Sequence, residues 1–326
     1  MLKDGFERVI NNVRFSITDR CNMRCVYCMP KFPVWMPHEE ILTYEELLRL
    51  ARVFVSLGVW KIRVTGGEPT VRRGVVDFVR RLIEIPALRD VSLTTNGFLL
   101  KTLAAPLREA GLKRVNVSLD TLDRKRFAEI TRTDTFPQVL EGLAEARRVG
   151  FEPLKVNFVA MRGTNHDEVV EFARFGRDEG VEVRFIEFMP LDAENVWDRQ
   201  KVYSKREILA DIGARFPWEP ATGADPHSPA EEFRYRDGRG VFGVIGSVTE
   251  PFCGRCDRVR VTADGKFRTC LFSVRETDLK GPMRAGAGDE EIASIVRQAV
   301  FGKEPGHFIN TDHFEKPART MHSIGG

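Results

Sequence analysis

The sequence is sparing with the features that mark most specialised protein classes. In its 326 residues no apolar run approaches the eighteen or so needed to span a membrane. The opening, MLKDGFERVI, has no apolar stretch of signal-peptide length, so a cytoplasmic location with no membrane partner is the expectation. Lys and Arg number 50 against 47 Asp and Glu, a net charge of +3, too little to mark nucleic acid or an anionic surface as partner. Histidine is scarce, six residues scattered without metal-ligand spacing, and none is assigned to a site. Fourth cysteines are also lacking. CNMRCVYCMP sets Cys21, Cys25 and Cys28 at C-x3-C-x2-C, and Cys253, Cys256 and Cys270 follow at C-x2-C-x13-C; neither segment supplies the fourth ligand that closes a structural zinc site.

Three disulfides would suit a small secreted chain, not one of this size without an export signal. A single six-cysteine site or two zinc sites would call for further ligands nearby. Two separate three-thiolate sites are the remaining reading. A cubane 4Fe-4S cluster has four iron corners, so three cysteines leave one iron open to a non-protein ligand.

What is present is a hydrophobic content of 42%, ample for a sizeable core, and a repeating pattern. From about residue 13 to residue 190, β-branched runs alternate with helical stretches: VRFSITDR, KIRVTGGEP, VSLTTNG, VNVSLD, LKVNFVAM and VRFIEFMP. A capping box at Thr43 and Glu46 and a stop at Gly58 predict the helix between the first two runs. Such alternation implies parallel strands with right-handed crossovers, and six units are too few for a closed eight-fold barrel. The expected fold is α/β, a partial (β/α)6 TIM-like barrel over residues 1–215, with a C-terminal extension over 216–326 that carries the second triplet.

Chemistry in such folds gathers where strands end. Polar residues fall there: Gly66, Gly67 and Glu68, then Thr94 with Asn96, Ser118 with Asp120, Lys155 with Asn157, and Glu187 with Met189. FPWEPATGADPHSPAE, 216–231, reads as a surface connection. ADGK reads as a hairpin turn that returns Cys270 to Cys253 and Cys256. Arg14 and Arg63 on the first two strands, with Arg258 and Arg260 beside Cys256, suit bidentate contact with phosphate.

The C-x3-C-x2-C loop with Tyr27 before its last cysteine, followed one βα unit later by TGGEP, resembles the cluster loop and glycine-rich turn of the radical S-adenosylmethionine (SAM) enzymes. The resemblance implies that the open iron chelates the methionine part of SAM, and that one electron from the cluster yields a 5′-deoxyadenosyl radical. Gly66 and Gly67 would let backbone approach the cofactor, and Glu68 would accept hydrogen bonds from its ammonium. FCGRCDRVRVTADGKFRTCLF and the terminal IGG are similar to the second-cluster segment and double-glycine tail of the GTP 3′,8-cyclases of molybdenum cofactor biosynthesis. TTNG, NVSLD and FIEFMP extend the resemblance over nearly the whole chain. Gly246 in GVIGSVT stands where that family commonly has proline, which bears on loop rigidity, and CDRVRVT replaces the usual CNRLRLT.

What this resemblance implies is a lyase converting GTP to (8S)-3′,8-cyclo-7,8-dihydroguanosine 5′-triphosphate, the first step toward molybdopterin, with two 4Fe-4S clusters and SAM. Cys21, Cys25 and Cys28 would hold the SAM cluster; Cys253, Cys256 and Cys270 would hold a second, whose open iron binds the guanine. Tyr27, Gly67, Ser118 and Met189 align with the family's SAM contacts. Arg14, Arg63, Thr94, Lys155, Arg258 and Arg260 align with its GTP contacts, and Arg184, whose strand phase opposes that of Met189, is a secondary addition. An electron donor, a homodimer, transfer of product to the next enzyme and a tail, Gly325 and Gly326, that reaches the active site complete the expectation. The alternative enzyme, a radical SAM peptide or small-molecule modifier with an auxiliary cluster, usually has more cysteines after residue 250. A non-catalytic iron-sulfur sensor or zinc module would have no use for GGEP or for polar groups at successive strand ends.

Overall fold

The computed structural model describes residues 1–223 and 225–325. All six strands read from the sequence form: β1 (Asn12–Ser16), β2 (Lys61–Thr65), β3 (Asp90–Thr95), β4 (Arg114–Ser118), β5 (Leu154–Ala160) and β6 (Glu182–Glu187). Neighbours pair in parallel in chain order. Their apolar residues, among them Val13, Phe15, Ile62, Val64 and Leu93, are fully buried, as crossover helices require of a parallel sheet. The helix Tyr44–Ser56 shows how local sequence sets this. Thr43 Oγ1 accepts from Glu46 N at 3.1 Å while Glu46 Oε2 accepts from Thr43 N at 2.7 Å. Leu47, Leu50, Ala51 and Phe54 are buried, with the Phe54 ring 6.0 Å from that of Phe15 on β1.

The sheet runs beyond six strands at both edges. The remaining strands are β7 (Trp218–Pro220), β8 (Glu231–Tyr235), β9 (Val241–Ile245), β10 (Arg258–Val261), β11 (Lys266–Arg268) and β12 (Thr277–Asp278). One twelve-stranded sheet results, in the order β12-β11-β10-β1-β2-β3-β4-β5-β6-β9-β8-β7. The segment after residue 216 therefore covers both outer edges of the six-strand core, where unpaired backbone groups would otherwise stand open. β10 joins β1 in parallel and β9 joins β6 in parallel. β1 and β6 are not neighbours, so the barrel stays open. Side chains from β1, β6, β9 and β10 nevertheless line one cavity, so the sheet is curled about it.

Register places Arg14 of β1 opposite Arg260 of β10 on one side and Arg63 of β2 on the other. Among the described residues no helix is long and apolar enough to cross a membrane.

Candidate functional site

The first triplet sits in a loop held from several directions. Arg24 N donates to Thr131 O at 2.8 Å and Val26 N to Ile130 O at 3.0 Å. Tyr27 Oη donates to Asp120 Oδ2 at 2.6 Å, and Asp120 Oδ1 accepts from Val159 N at 2.8 Å. The loop is thus fastened to the ends of β4 and β5. Gly66 and Gly67 brace its root. A β-carbon on Gly67 would stand 2.4 Å from the carbonyl oxygens of Asp19 and Arg20, and one on Gly66, at φ +154°, would stand 2.6 Å from Thr18 O. These glycines are required by the chain's own close packing, in addition to any approach of a ligand.

Glu68 has a structural role that the sequence did not show. Its carboxylate is buried and accepts from Thr70 N at 2.9 Å, Thr95 Oγ1 at 2.7 Å and Asn96 N at 2.6 Å, besides the Thr70 hydroxyl. Oε1 takes three of these four bonds and Oε2 only the one from Asn96 N, so Glu68 ties the end of β2 to that of β3 while Oε2 keeps a lone pair for a further donor. Burial, with Glu68 alongside, pushes the Cys21 thiol up to about 11. Burial, the neighbouring thiols and Asp120 push Cys25 and Cys28 up as well. Such thiols ionise only against a strongly bound cation.

The second triplet is assembled from distant segments. Cys253 begins a short 3-10 turn, Cys253–Arg255, and Cys256 leads into β10. The β10–β11 hairpin carries the chain back to Cys270 as the sequence predicted. Burial still pushes the Cys253 thiol up, but at Cys256 the electrostatics reverse. Burial opposes ionisation of Cys256, but Arg258 and Lys303 outweigh it and bring the thiol down to about 7; Arg258 Nη2 donates to Cys256 Sγ at 3.4 Å.

Both triplets open on the same cavity, about 280 Å³ in volume. All six thiols are free, so the disulfide reading falls. Among the described residues no three His, Cys, Asp or Glu side chains converge on a single-ion site, as mononuclear zinc would need. Three soft thiol donors on each wall fit an iron-sulfur cluster. Every cysteine and every residue expected to contact SAM or GTP lines this cavity except Lys155, whereas Glu187 and Gly325 do not line it.

Lys155 lines an adjoining chamber of about 110 Å³, which shares Arg14, Arg63, Arg184 and Arg258 with the cavity and adds Lys61 and Arg114. Lys155 is paired with Glu182; burial and Arg184 outweigh that pairing and bring its ammonium down to about 8. Sequence reasoning missed Lys61 and Arg114, which resemble any strand-start cation until register sets them in one chamber. It also missed the loop 225–229, expected as a surface connection. Asp225, His227, Ser228 and Pro229 wall the chamber, and Pro229 reaches the main cavity. His307, from a set of histidines assigned to no site, lines the main cavity as well.

Lys61, Arg114, Lys155 and Arg184 each pair with a carboxylate, but Arg14, Arg63 and Arg260 have no carboxylate partner among the described residues. Arg14 Nε is buried without a partner, as is the Oγ1 of Thr94. Burial and Arg258 bring Arg14 down to about 10, and burial and Arg14 hold Arg63 and Arg260 well below the usual arginine range. Like charges set directly opposite across strands repel, and a buried charge without a counter-ion is costly. A bound anion would therefore compensate the row Arg260–Arg14–Arg63.

The tail reaches the arginine row. Gly325 O accepts from Arg260 Nη1. At φ +91°, a β-carbon there would stand 2.7 Å from Ser16 Cβ and 2.9 Å from Thr65 Oγ1. Gly326 lies outside the described residues. Gly246 is accommodated without the family's proline: Glu187 accepts from Val248 N at 2.7 Å and Thr249 N at 2.8 Å, which fixes the turn. A β-carbon on Gly246 would press on Lys205 at 3.3 Å.

Comparison with known proteins agrees with this geometry. Residues 15–176 match the radical SAM superfamily model and residues 181–309 the Molybdenum Cofactor Synthesis C model. Curated relatives named GTP 3′,8-cyclase include one from Rhodopirellula baltica, 48% identical over 100% of this chain and 92% of its own length. Another, from Moorella thermoacetica, is 46% identical with both chains fully covered. Among solved structures, Streptococcus suis SuiB bound to S-adenosylmethionine has a TM-score of 0.62 at 13% identity, covering 97% of this chain and 75% of that one. The anSMEcpe structure with bound AdoMet has a TM-score of 0.59 at 16% identity, covering 91% and 81%. These likenesses establish the shared fold. At 44–48% identity over its full length, the chain belongs to the GTP 3′,8-cyclase family of the radical SAM enzymes.

Proposed function

We propose that the chain converts GTP to 3′,8-cyclo-7,8-dihydro-GTP, the first step toward molybdopterin, using SAM and two 4Fe-4S clusters. The observation that carries the reading is the under-compensated row Arg260–Arg14–Arg63 on a cavity walled by two three-thiol sites. Cys21, Cys25 and Cys28 would hold the first cluster; Cys253, Cys256 and Cys270 would hold the second. When bound, the first cluster and SAM supply a hydrogen-abstracting radical by one-electron cleavage of the sulfonium.

The chain's own residues bind and orient. Tyr27, Gly67, Ser118 and Met189 position SAM, and the carboxylates of Glu68 and Asp120 give that wall a negative character suited to a sulfonium cation. Arg14, Arg63, Arg258 and Arg260, with the unpaired hydroxyl of Thr94, bind GTP, and Lys155 extends the cationic lining into the lower chamber. A nucleotide held by triphosphate and base at separate points has its ribose fixed for removal of hydrogen from C3′ and closure of the C3′–C8 bond. The 7,8-dihydro product then requires one electron and one proton at the ring. Ile186, Ile245, Leu271 and Phe272 line the cavity and keep water from the radical centre. An external one-electron donor, a homodimer, a cytoplasmic setting and delivery of the product to a following enzyme belong to the same reading.

The test is anaerobic incubation of reconstituted protein with SAM, a strong reductant and GTP, followed by mass analysis. The expected products are 5′-deoxyadenosine and a cyclised nucleotide isomeric with GTP. No nucleotide product, but turnover of a peptide, would support the alternative modifying enzyme.

A further inference from the structure

The amino-terminal turn, before the first strand, carries an arginine that neither the cavity nor the family motifs use. Asp4 and Arg8 form a buried pair: Arg8 Nε donates to Asp4 Oδ2 at 2.5 Å, with side-chain exposures of 8% and 0%. Asp4 Oδ1 accepts from Phe6 N at 2.9 Å and Arg8 N at 3.0 Å, so the carboxylate fixes the turn and aims the guanidinium. The guanidinium's outer nitrogens donate to three backbone carbonyls: Cys253 O at 2.8 Å, Pro305 O at 3.0 Å and Glu304 O at 2.7 Å. One carbonyl belongs to a second-triplet cysteine. The other two precede Gly306, whose β-carbon position lies 3.5 Å from Cys253 Cβ.

The segment that Arg8 grips also braces the other thiols. Lys303, 3% exposed, donates through Nζ to Arg258 O at 3.0 Å and to Thr269 O. Thr269 immediately precedes Cys270, and Arg258 lies two residues after Cys256. Glu304 accepts from Thr269 Oγ1 and Ser273 Oγ, each at 3.1 Å. A cysteine triplet drawn from a turn and a hairpin end cannot set its own spacing, and these cations hold its backbone from outside. Only a planar fork with several N–H donors reaches three carbonyls at once; an ammonium is a point charge without that geometry.

We propose that Arg8, aimed by Asp4, is a positioning residue for the second cluster: it fixes the Cys253 segment against residues 304–305 so that the three thiols present cluster spacing. The inference rests on the two-cluster reading above. It predicts a selective loss, because nothing in the first triplet touches Arg8.

The test compares full-length wild type, Arg8→Ala and Arg8→Lys after anaerobic reconstitution. Wild type should hold about eight irons per chain and Arg8→Ala about four. The variant should keep the EPR signal that responds to SAM and lose the one that responds to GTP, while SAM cleavage without GTP persists. Arg8→Lys should fold and load both clusters, yet surrender its GTP-responsive cluster to a chelator about tenfold faster, with the SAM-responsive cluster lost at the wild-type rate. Retention of eight irons by Arg8→Ala, or equal acceleration of both phases in Arg8→Lys, overturns the role assigned to Arg8. Should Arg8→Ala lose both clusters through misfolding, the two phases in Arg8→Lys decide. Four irons in the wild type would instead overturn the two-cluster reading itself.

Discussion

The two cysteine triplets face each other across one cavity, yet they are built in opposite ways. The first is contained in one loop, rooted on the glycines after β2, where burial foremost, and then the carboxylates Glu68 and Asp120, push its thiols up. The second is gathered from a turn and a hairpin, set among cations, and has one thiol, Cys256, brought down to about 7. Each setting suits a ligand of opposite sign: a sulfonium beside the carboxylates, a polyphosphate beside the arginines. The difference teaches that two triplets alike in cysteine count bring opposite charge to the cavity through the residues around them.

The largest effects should come from the thiols. Cys25→Ala should abolish SAM cleavage, whereas Cys256→Ala should spare cleavage in the absence of GTP and lose the cyclised product, both read by mass analysis. Equal loss of SAM cleavage in the two variants would break the division between the walls. Next come the arginines. Arg260→Ala should weaken GTP binding by about tenfold to a hundredfold, the scale of one or two charge-assisted hydrogen bonds, with SAM affinity unchanged in calorimetry.

Arg14→Met sharpens the point. It removes a buried charge that has no partner at Nε, so the empty protein should melt a few degrees higher while GTP binding falls. A lower melting temperature would mean that Arg14 is a structural residue. Gly325→Ala, with no room beside Ser16 and Thr65, should displace the tail from Arg260 and reduce cyclisation about tenfold, leaving SAM binding intact. The smallest effect is one of pH. Lys155 loses its proton as pH rises through about 8, and GTP binding favours the ammonium, so affinity should decline from pH 8 toward 10, by at most about tenfold per unit. In Lys155→Met that part of the pH dependence should vanish.

Much of this was legible in the chain because it is local. The capping box at Thr43 and Glu46, the alternation of strands and helices and the C-x3-C-x2-C spacing each depend on residues a turn or a strand apart. The polar groups at strand ends were legible for the same reason, since a parallel βα repeat sends every such residue to one rim. The bracing role of Glu68 was not legible because Thr95 and Asn96, which donate to it, lie at the tip of another strand. The loop 225–229 was misjudged because a Pro- and Gly-containing stretch has the same composition whether it lies on a surface or walls a chamber. Arg8 gave no signal, since the carbonyls it holds are some 245 to 297 residues away.

By itself, then, the sequence determined the six-strand core, the first triplet with its open coordination position and the membership of the second. Tertiary structure alone decided that β10 would lie beside β1. That pairing sets Arg260, Arg14 and Arg63 in one row, closes the second triplet against the first and leaves the tail carbonyl on Arg260. The physical reason is register: side chains two strands apart become neighbours only through backbone pairing between distant segments, and no local spacing encodes which edge a returning strand will choose.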